Sequence, residues 1–208
     1  MLGFLQKLTR SPVPGGDGKP RVREVSGNAK EALLIERVTQ RDQRAFETLY
    51  RIYYPRLVRF MSLVTARSTI VEEAVNDTLL VVWNRAHTFN GQCKVSTWIF
   101  AIAYRTVCKA LRWQDTPADP VDMDEHASDD VGPEGMSNAR EMQAALAHAL
   151  EGLSHEHRNV VVLTYFHDLP YAEIAQIMDC PVDTVKTRMF HARRKLRVLL
   201  QDDLGDMP

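Results

Sequence analysis

The stretch YAEIAQIMDCPVDTVKTRMFHARRKL, residues 171–196, contains two runs of apolar residues at helical spacing, separated by Asp179, Cys180 and Pro181. The apolar face of the first run consists of Tyr171, Ile174, Ala175 and Met178. Apolar residues of the second run recur at intervals of four and three, at Val185, Met189, Ala192, Leu196 and Leu199. Pro181 suits the first turn of the second helix, because its missing amide hydrogen costs nothing there. Two helices joined by a short turn predict a helix-turn-helix.

The second of these helices is strongly basic. Residues 184–200 include six Lys or Arg and no Asp or Glu. A charged helix face is commonly only solvated, but a merely soluble helix generally mixes both signs. This one-signed surface favours phosphates and predicts duplex DNA as the ligand. We expect base edges to be reached by Thr184, Thr187, Arg188 and His191, and phosphates by Lys186, Arg193 and Arg194.

The charges of the whole chain are segregated, although the net charge of its 208 residues is only −1. Residues 78–114 carry basic side chains and no acid, whereas residues 115–138 carry eight acids and no Lys or Arg. The acidic stretch also contains several Pro and Gly residues, so it cannot bury a core. We predict a flexible acidic linker over 114–138 that joins two small helical domains in an all-α fold.

The periodic pattern places the elements of the two domains. We expect a flexible N-terminal extension over 1–28, a helical domain over 29–113 and a helix-turn-helix domain over 139–208. One predicted helix carries an apolar stripe that Pro55 closes. The next has apolar residues between Val71 and Trp83, and its opposite face is formed by Glu72, Glu73, Asn76 and Asp77.

A third predicted helix, Thr97 to Trp113, has Arg105, Lys109 and Arg112 on one face. Aromatic rings interleaved with a basic stripe suit single-stranded nucleic acid, since bases stack on rings while cations follow the backbone. The alternative is that Trp98 and Phe100 simply belong to the core. The preceding turn, TFNGQCKVS at 88–96, could shape a pocket for an extruded base.

Other classes of function find little support in the residues. Three widely spaced cysteines form neither a disulfide framework nor a CxxC site, and no run predicts a signal peptide or a membrane span. We therefore expect a cytoplasmic protein without a cofactor. A metal site could be built only from His148, His155, Glu156 and His157, whose spacing matches no metal motif. No phosphate loop or nucleophile elbow is present, so no enzyme is predicted. A helix-turn-helix regulator with an N-terminal sensing domain remains an alternative.

Taken in order, the two halves resemble the extracytoplasmic-function (ECF) sigma factors, the small two-domain transcription initiation factors of bacteria. The strings that resemble sigma region 2 are AFETLYRIYYPRL, VEEAVNDTLLVVWNRAHTF and STWIFAIAYRTVCKALR. The string that resembles sigma region 4 is LSHEHRNVVVLTYFHDLPYAEIAQIMDCPVDTVKTRMFHARRKLR. The resemblance implies core RNA polymerase and promoter DNA as partners, and an anti-sigma factor that many relatives anchor in a membrane. It also implies a chain that is monomeric when free and does not itself enter the membrane.

The resemblance also assigns roles to residues already singled out. The terminal basic helix would read the −35 duplex. The surface that docks on the polymerase clamp would consist of Glu72, Glu73, Asn76 and Asp77. The surface that melts and holds the −10 strand would consist of Asn90, Lys94, Ser96, Trp98, Arg105, Lys109 and Arg112. Arg105 stands where relatives usually have Asn and Lys109 where Asp is common, so this surface is more basic than usual.

Overall fold

A computed structural model of the chain describes residues 22–114 and 145–205. All regular elements within these ranges are helical, which confirms the predicted all-α class. The first half contains α1 (Val22–Thr39), α2 (Gln43–Val64), α3 (Ser68–Arg85), a 3₁₀ helix (Ala86–Thr88) and α4 (Val95–Gln114). The second half contains α5 (145–151), α6 (His155–Tyr165), α7 (Tyr171–Met178) and α8 (Val182–Gly205). The predicted linker lies almost entirely outside the described residues, as does most of the predicted N-terminal extension.

Helix α1 begins at Val22, whereas the sequence predicted flexible chain up to residue 28. The first helix of the structure therefore includes residues 22–28. The side chain of Asn28 explains part of the difference, because its Oδ1 accepts a hydrogen bond of 3.0 Å from the backbone amide of Val95. Asn28, which has a low intrinsic helix propensity, thus lies within α1 and binds the start of α4.

Helix α2 is longer than predicted. Asp42 caps its N-terminus by accepting hydrogen bonds from the amides of Arg44 and Ala45, at 2.9 and 3.2 Å. The helix then continues through Pro55 to Val64, so the predicted end at Pro55 was wrong. Four side chains beyond the proline are buried, namely Leu57, Phe60, Met61 and Val64. Each contributes about 1.5–3 kcal/mol on burial, which together outweighs a cost of about 3 kcal/mol for an internal proline.

The helix-turn-helix has the predicted arrangement. Helix α7 ends at Met178, its C-cap residue Asp179 adopts the left-handed conformation (φ 51°), and Pro181 directly precedes α8. The apolar stripe of α8 is buried at Val185, Met189, Ala192 and Leu196.

The two halves of the chain are in direct contact, and their buried apolar residues form one continuous core. Helix α4 lies at the centre, with α3 on one side and α7 on the other, while α6 packs on α2. The guanidinium of Arg158 on α6 joins the halves by donating to the backbone carbonyls of Val64, Leu150 and Glu151, at 2.6–2.7 Å. The chain thus places its helix-turn-helix directly against α4.

Candidate nucleic-acid and polymerase interfaces

The N-terminal half of α8 presents part of the predicted duplex-reading set to solvent. Lys186, Thr187, His191 and Arg194 are exposed, opposite the buried apolar stripe of the same helix. Lys186 forms an ion pair of 2.9 Å with Asp183, which lowers the pKa of that carboxyl below its usual range. The helix start therefore carries one acid among its basic side chains.

Other members of this set are partly covered. Thr184, Arg188 and Arg193 are half-buried. The guanidinium of Arg188 lies 3.8 Å from Cys180 Sγ in the turn of the helix-turn-helix. Arg193 lies beside Tyr165, where burial raises the pKa of the phenol and the arginine charge opposes that shift. Helical periodicity alone could not distinguish these positions from the fully exposed ones.

A groove of about 370 Å³ borders the start of α8 and is lined by His157, Asp183, Thr184, Thr187, Arg188 and His191. The rings of His157 and His191 stack across it, with centroids 6.2 Å apart. Burial lowers the pKa of His157, and the neighbouring His191 lowers it further. Within the described ranges no three His, Cys, Asp or Glu side chains come together in a way that could hold a metal ion. One of the histidines considered as metal ligands, His157, thus lines the groove at the start of α8.

The basic stripe of α4 lies on the surface as expected. Arg105, Lys109 and Arg112 are all exposed and share one face, and Arg112 Nε also donates to the carbonyl of Cys108 at 3.3 Å. Phe100 is fully buried against Phe60, so for this aromatic residue the core interpretation is the correct one.

The turn before α4 is shaped by its own polar residues. Asn90 is exposed, and its Oδ1 accepts a hydrogen bond of 3.1 Å from the amide of Gln92. Gly91 adopts φ +75°, a conformation that side-chain-bearing residues rarely adopt. Trp98 is half-buried and tilts against Phe89, with ring centroids 5.6 Å apart. Ser96 is also half-buried.

The ammonium of Lys94, another candidate −10 residue, contacts the second half of the chain. Its Nζ lies 2.7 Å from Oε1 of Glu173 on α7. The other carboxylate oxygen of Glu173 accepts a hydrogen bond of 2.9 Å from Thr97 Oγ1. Sequence reasoning missed Glu173, since its only local signal is an acid in the first turn of a helix.

The predicted acidic face of α3 is exposed at Glu72, Glu73, Asn76 and Asp77. Leu80 lies on the same side of the helix and is 57% exposed. Acidic groups around one exposed apolar side chain suit a protein partner. Leu80 could have been singled out, because it falls outside the buried series Val71, Val75, Leu79 and Val82.

An aromatic row on α2 was also missed. Tyr50 and Tyr54 stack with centroids 5.1 Å apart, and Phe46 links Tyr50 to Trp83 at the end of α3. The guanidinium of Arg41 lies 5.3 Å from the Trp83 ring centroid. The signal available in the sequence was the spacing of four residues between Phe46, Tyr50 and Tyr54 along one helix.

Comparisons with known proteins now identify the family. The family model described as "Sigma-70 region 2" matches residues 49–116, and "Sigma-70, region 4" matches residues 143–196. The chain is similar to the ECF RNA polymerase sigma-E factor of Haemophilus influenzae, with 27% identity over 178 residues, 81% of this chain and 94% of that protein. The chain belongs to the ECF group of the sigma-70 family. This sigma factor is thus a transcription initiation factor that acts with RNA polymerase.

Solved structures show the same fold. CnrH, solved in complex with the cytosolic domain of CnrY, matches with a TM-score of 0.65 and 24% identity, over 84% of this chain and 99% of that chain. RpoE from Bartonella quintana, solved with the anti-sigma factor NepR, matches with a TM-score of 0.58 and 22% identity, over 75% of this chain and 96% of that one. Among the described residues of this sigma factor, none of the helices has the length and apolar character needed to cross a membrane.

Proposed function

We propose that this sigma factor docks on core RNA polymerase through the acidic face of α3 and directs initiation at promoters with two separate elements. The basic face of α4 and the turn at 90–94 hold the melted −10 strand, while the N-terminal half of α8 reads the −35 duplex. Affinity comes from the basic side chains, and sequence preference comes from the smaller set that reaches base edges.

The observation that carries the proposal is the separation of charge among three exposed helix faces. The face of α3 is acidic around Leu80, whereas the exposed charged side chains of α4, and of α8 up to residue 200, are basic except for Asp183. A polyanion is attracted to the two basic faces and repelled by the acidic one, which leaves α3 to a protein partner.

We also propose an anti-sigma factor as a regulatory partner. RpoE of Bartonella quintana was solved in complex with the anti-sigma factor NepR, and this sigma factor has the same fold at 22% identity. The exposed aromatic row of α2 offers amphipathic rings of the kind that protein interfaces favour.

Reconstitution with purified core polymerase tests the proposal. We expect Glu73→Lys with Asp77→Lys to lower co-purification with core by about tenfold or more, because both changes reverse the charge of the docking face. The charge-matched control, Glu36→Lys with Glu47→Lys, changes exposed acids elsewhere and should co-purify normally. The wild-type holoenzyme should enrich defined −35 and −10 sequences from a randomised promoter library. Normal co-purification of the α3 variant would remove the docking assignment.

A further inference from the structure

The groove beside the duplex-reading helix joins α8 to α6, a helix to which the sequence assigned no DNA-binding residue. It measures about 370 Å³, with residues of α8 along one side and His157, from the first turn of α6, along the other. His157 faces His191 of α8, with ring centroids 6.2 Å apart and ring planes only 26° from parallel. The groove thus brings two imidazoles from different helices to one place on the surface.

Basic side chains gather on the side of α8 that faces His157. Arg188, His191 and Lys195 follow one another at intervals of three and four residues, so they share one face of the helix. Burial lowers the pKa of His157, and the neighbouring His191 lowers it further. The charges of Arg188 and Lys195 act in the same direction, while the charge of Glu156 opposes them. The surroundings of His157 are therefore mainly positive, and an anion would be attracted to them.

Ionisable groups near the groove, other than the two imidazoles, keep a constant charge near neutral pH. Asp183 lines the groove, and its ion pair of 2.9 Å with Lys186 lowers the pKa of its carboxyl. Tyr104 on α4 lies within electrostatic range of the groove residue Arg188, and burial raises the pKa of its phenol to about 12. Burial also raises the pKa of the Cys108 thiol on α4. A change of charge in the groove near neutral pH therefore belongs to the imidazoles.

The groove is continuous with the face of α8 that is proposed to contact the −35 duplex. Thr187 and His191 line the groove and are also exposed on that face. A duplex read by a helix in its major groove places its phosphate backbone along the edge of that helix. A phosphate presents charged acceptor oxygens, and two neighbouring imidazoles present N–H donors for them. The groove therefore suits a phosphate of the duplex.

The start of α6 is held in place by its own polar contacts. Ser154 caps the helix, because its Oγ accepts a hydrogen bond of 3.4 Å from the amide of His157. The next residue, Arg158, is buried and donates to the carbonyls of Leu150 and Glu151 at 2.7 Å. The backbone of His157 is thus positioned before any ligand arrives, which lowers the ordering cost of binding.

We propose that His157 and His191 form a phosphate-binding pair that holds the backbone of the −35 duplex, so that α6 adds a DNA contact outside the helix-turn-helix. This inference rests on the proposed role of α8 at the −35 element. It assigns His191 to the phosphate backbone instead of the base edges for which the sequence predicted it.

Phosphate binding by this pair takes up a proton. In the free chain, burial and the adjacent basic groups favour the neutral form of His157, whereas a bound phosphate favours the charged form. The pKa of His157 is then higher in the complex than in the free chain. Affinity for the duplex therefore rises as the pH falls through the interval between these two pKa values.

The test measures the affinity of the reconstituted holoenzyme for promoter duplexes with native or scrambled −35 sequences, by fluorescence anisotropy at about pH 8 and about pH 6. We expect the affinity of the wild type to rise by about three- to tenfold at the lower pH. His157→Gln should lose most of that rise, by the same factor on both duplexes, because a phosphate contact carries no sequence information. Its salt dependence should flatten by the contribution of about one phosphate.

Two further variants separate a phosphate contact from an effect on packing. His157→Arg is charged at both pH values, so it should bind at the higher pH at least as tightly as the wild type and depend little on pH. His155→Gln is the matched control, because His155 is exposed in the same helical turn but does not line the groove. It should keep the affinity and the pH dependence of the wild type.

Three results would overturn the phosphate-binding pair while leaving the role of α8 intact. The first is a wild-type pH dependence in His157→Gln. The second is an equal loss of affinity in His157→Arg and His157→Gln, which would show that His157 acts through packing. The third is a loss confined to the native duplex, which would show that the pair reads a base.

A different outcome would remove the role of α8 itself. In that case the wild-type holoenzyme binds native and scrambled −35 duplexes equally, and Arg188→Ala changes neither affinity. The phosphate-binding pair would then fail together with the proposed function.

Discussion

The two halves of this sigma factor are stabilised in different ways. In the first half, long helices such as the 22-residue α2 bury large apolar side chains along their length. In the second half, only α8 is long, with 24 residues, whereas α6 and α7 have 11 and 8 residues, below the length at which isolated helices are stable. The second half compensates with a buried arginine that binds backbone carbonyls and with contacts on the first half. The helix-turn-helix half therefore depends on its surroundings more than the first half does.

The two basic helices, α4 and α8, also differ in how far neighbouring helices cover them. Helix α4 is central, so its basic side chains are limited to one exposed face and its start is covered by α7. Helix α8 packs through one apolar stripe, and most of its basic side chains face solvent. A central helix can be regulated by its neighbours, whereas a peripheral helix is available for a ligand.

The largest effect is expected from Arg158→Ala, which removes the guanidinium that binds backbone carbonyls of both halves. The guanidinium is buried and satisfies carbonyls of both halves, so its removal leaves several acceptors without a donor. We expect the free energy of unfolding, measured by urea denaturation, to fall by about 3 kcal/mol. Arg194→Ala, an exposed arginine on α8, should change it by less than about 0.5 kcal/mol. An equal change in the free energy of unfolding of the two variants would show that the second half does not depend on the hydrogen bonds of Arg158.

A second prediction concerns the peripheral helix and its reading of DNA. Arg188→Ala should weaken −35 recognition by the holoenzyme by about 1–3 kcal/mol if its guanidinium contacts a base edge. The measurement compares native with scrambled −35 duplexes, with Arg194→Ala as the phosphate-contact control. An equal loss of affinity on both duplexes would show that Arg188 contacts only phosphate and that α8 reads sequence through other residues.

The contact between the halves should depend on pH through His167. Burial, with help from the charges of Arg56 and Arg59, lowers the pKa of His167 from 6.5 to about 4. The unfolded chain takes up this proton first on acidification, so stability from the neutral imidazole is complete above pH 6.5 and is lost as the pH falls toward 4. The slope reaches at most about 1.4 kcal/mol per pH unit.

Two variants isolate this dependence on His167. His167→Gln and His167→Phe cannot take up the proton, so urea denaturation across this pH range should show a shallower loss of stability than the wild type. If both variants keep the wild-type slope, His167 is not the group that links acid to the contact.

The smallest effect concerns the exposed stripe of the central helix. Arg105→Asn with Lys109→Asp should weaken open complexes and flatten their salt dependence, because the slope falls by about 0.7 for each phosphate that the protein no longer neutralises. Since phosphate contacts position a strand without reading it, the order of preferred −10 sequences should stay the same. Permanganate footprinting across a −10 variant library at two salt concentrations measures both quantities.

The control for this variant is Lys30→Asp with Arg51→Asn, the same change of charge at exposed positions of α1 and α2. It should leave the salt dependence near that of the wild type. A changed order of preferred −10 bases in the α4 variant would show that Arg105 or Lys109 reads bases directly.

The sequence by itself determined the features that depend on neighbours three or four residues away. Periodic apolar residues placed the helix-turn-helix, including α7 and the buried stripe of α8. The same spacing placed the acidic residues of α3 and the basic residues of α4 on exposed faces. These features follow from helix geometry, which fixes which side chains share a face whatever the rest of the chain does.

Only the tertiary structure decided the contacts between distant segments. The hydrogen bonds of Asn28 with Val95, Glu173 with Thr97 and Arg158 with Val64 join residues 67, 76 and 94 positions apart. No local pattern marks these partners, because a polar side chain on a helix is equally suited to contact with solvent. The continuation of α2 through Pro55 had the same origin, since burial beyond the proline outweighed its local cost. The packing of whole helices creates burial and contacts between distant residues. This packing therefore decided which of the predicted binding residues are exposed and which are covered.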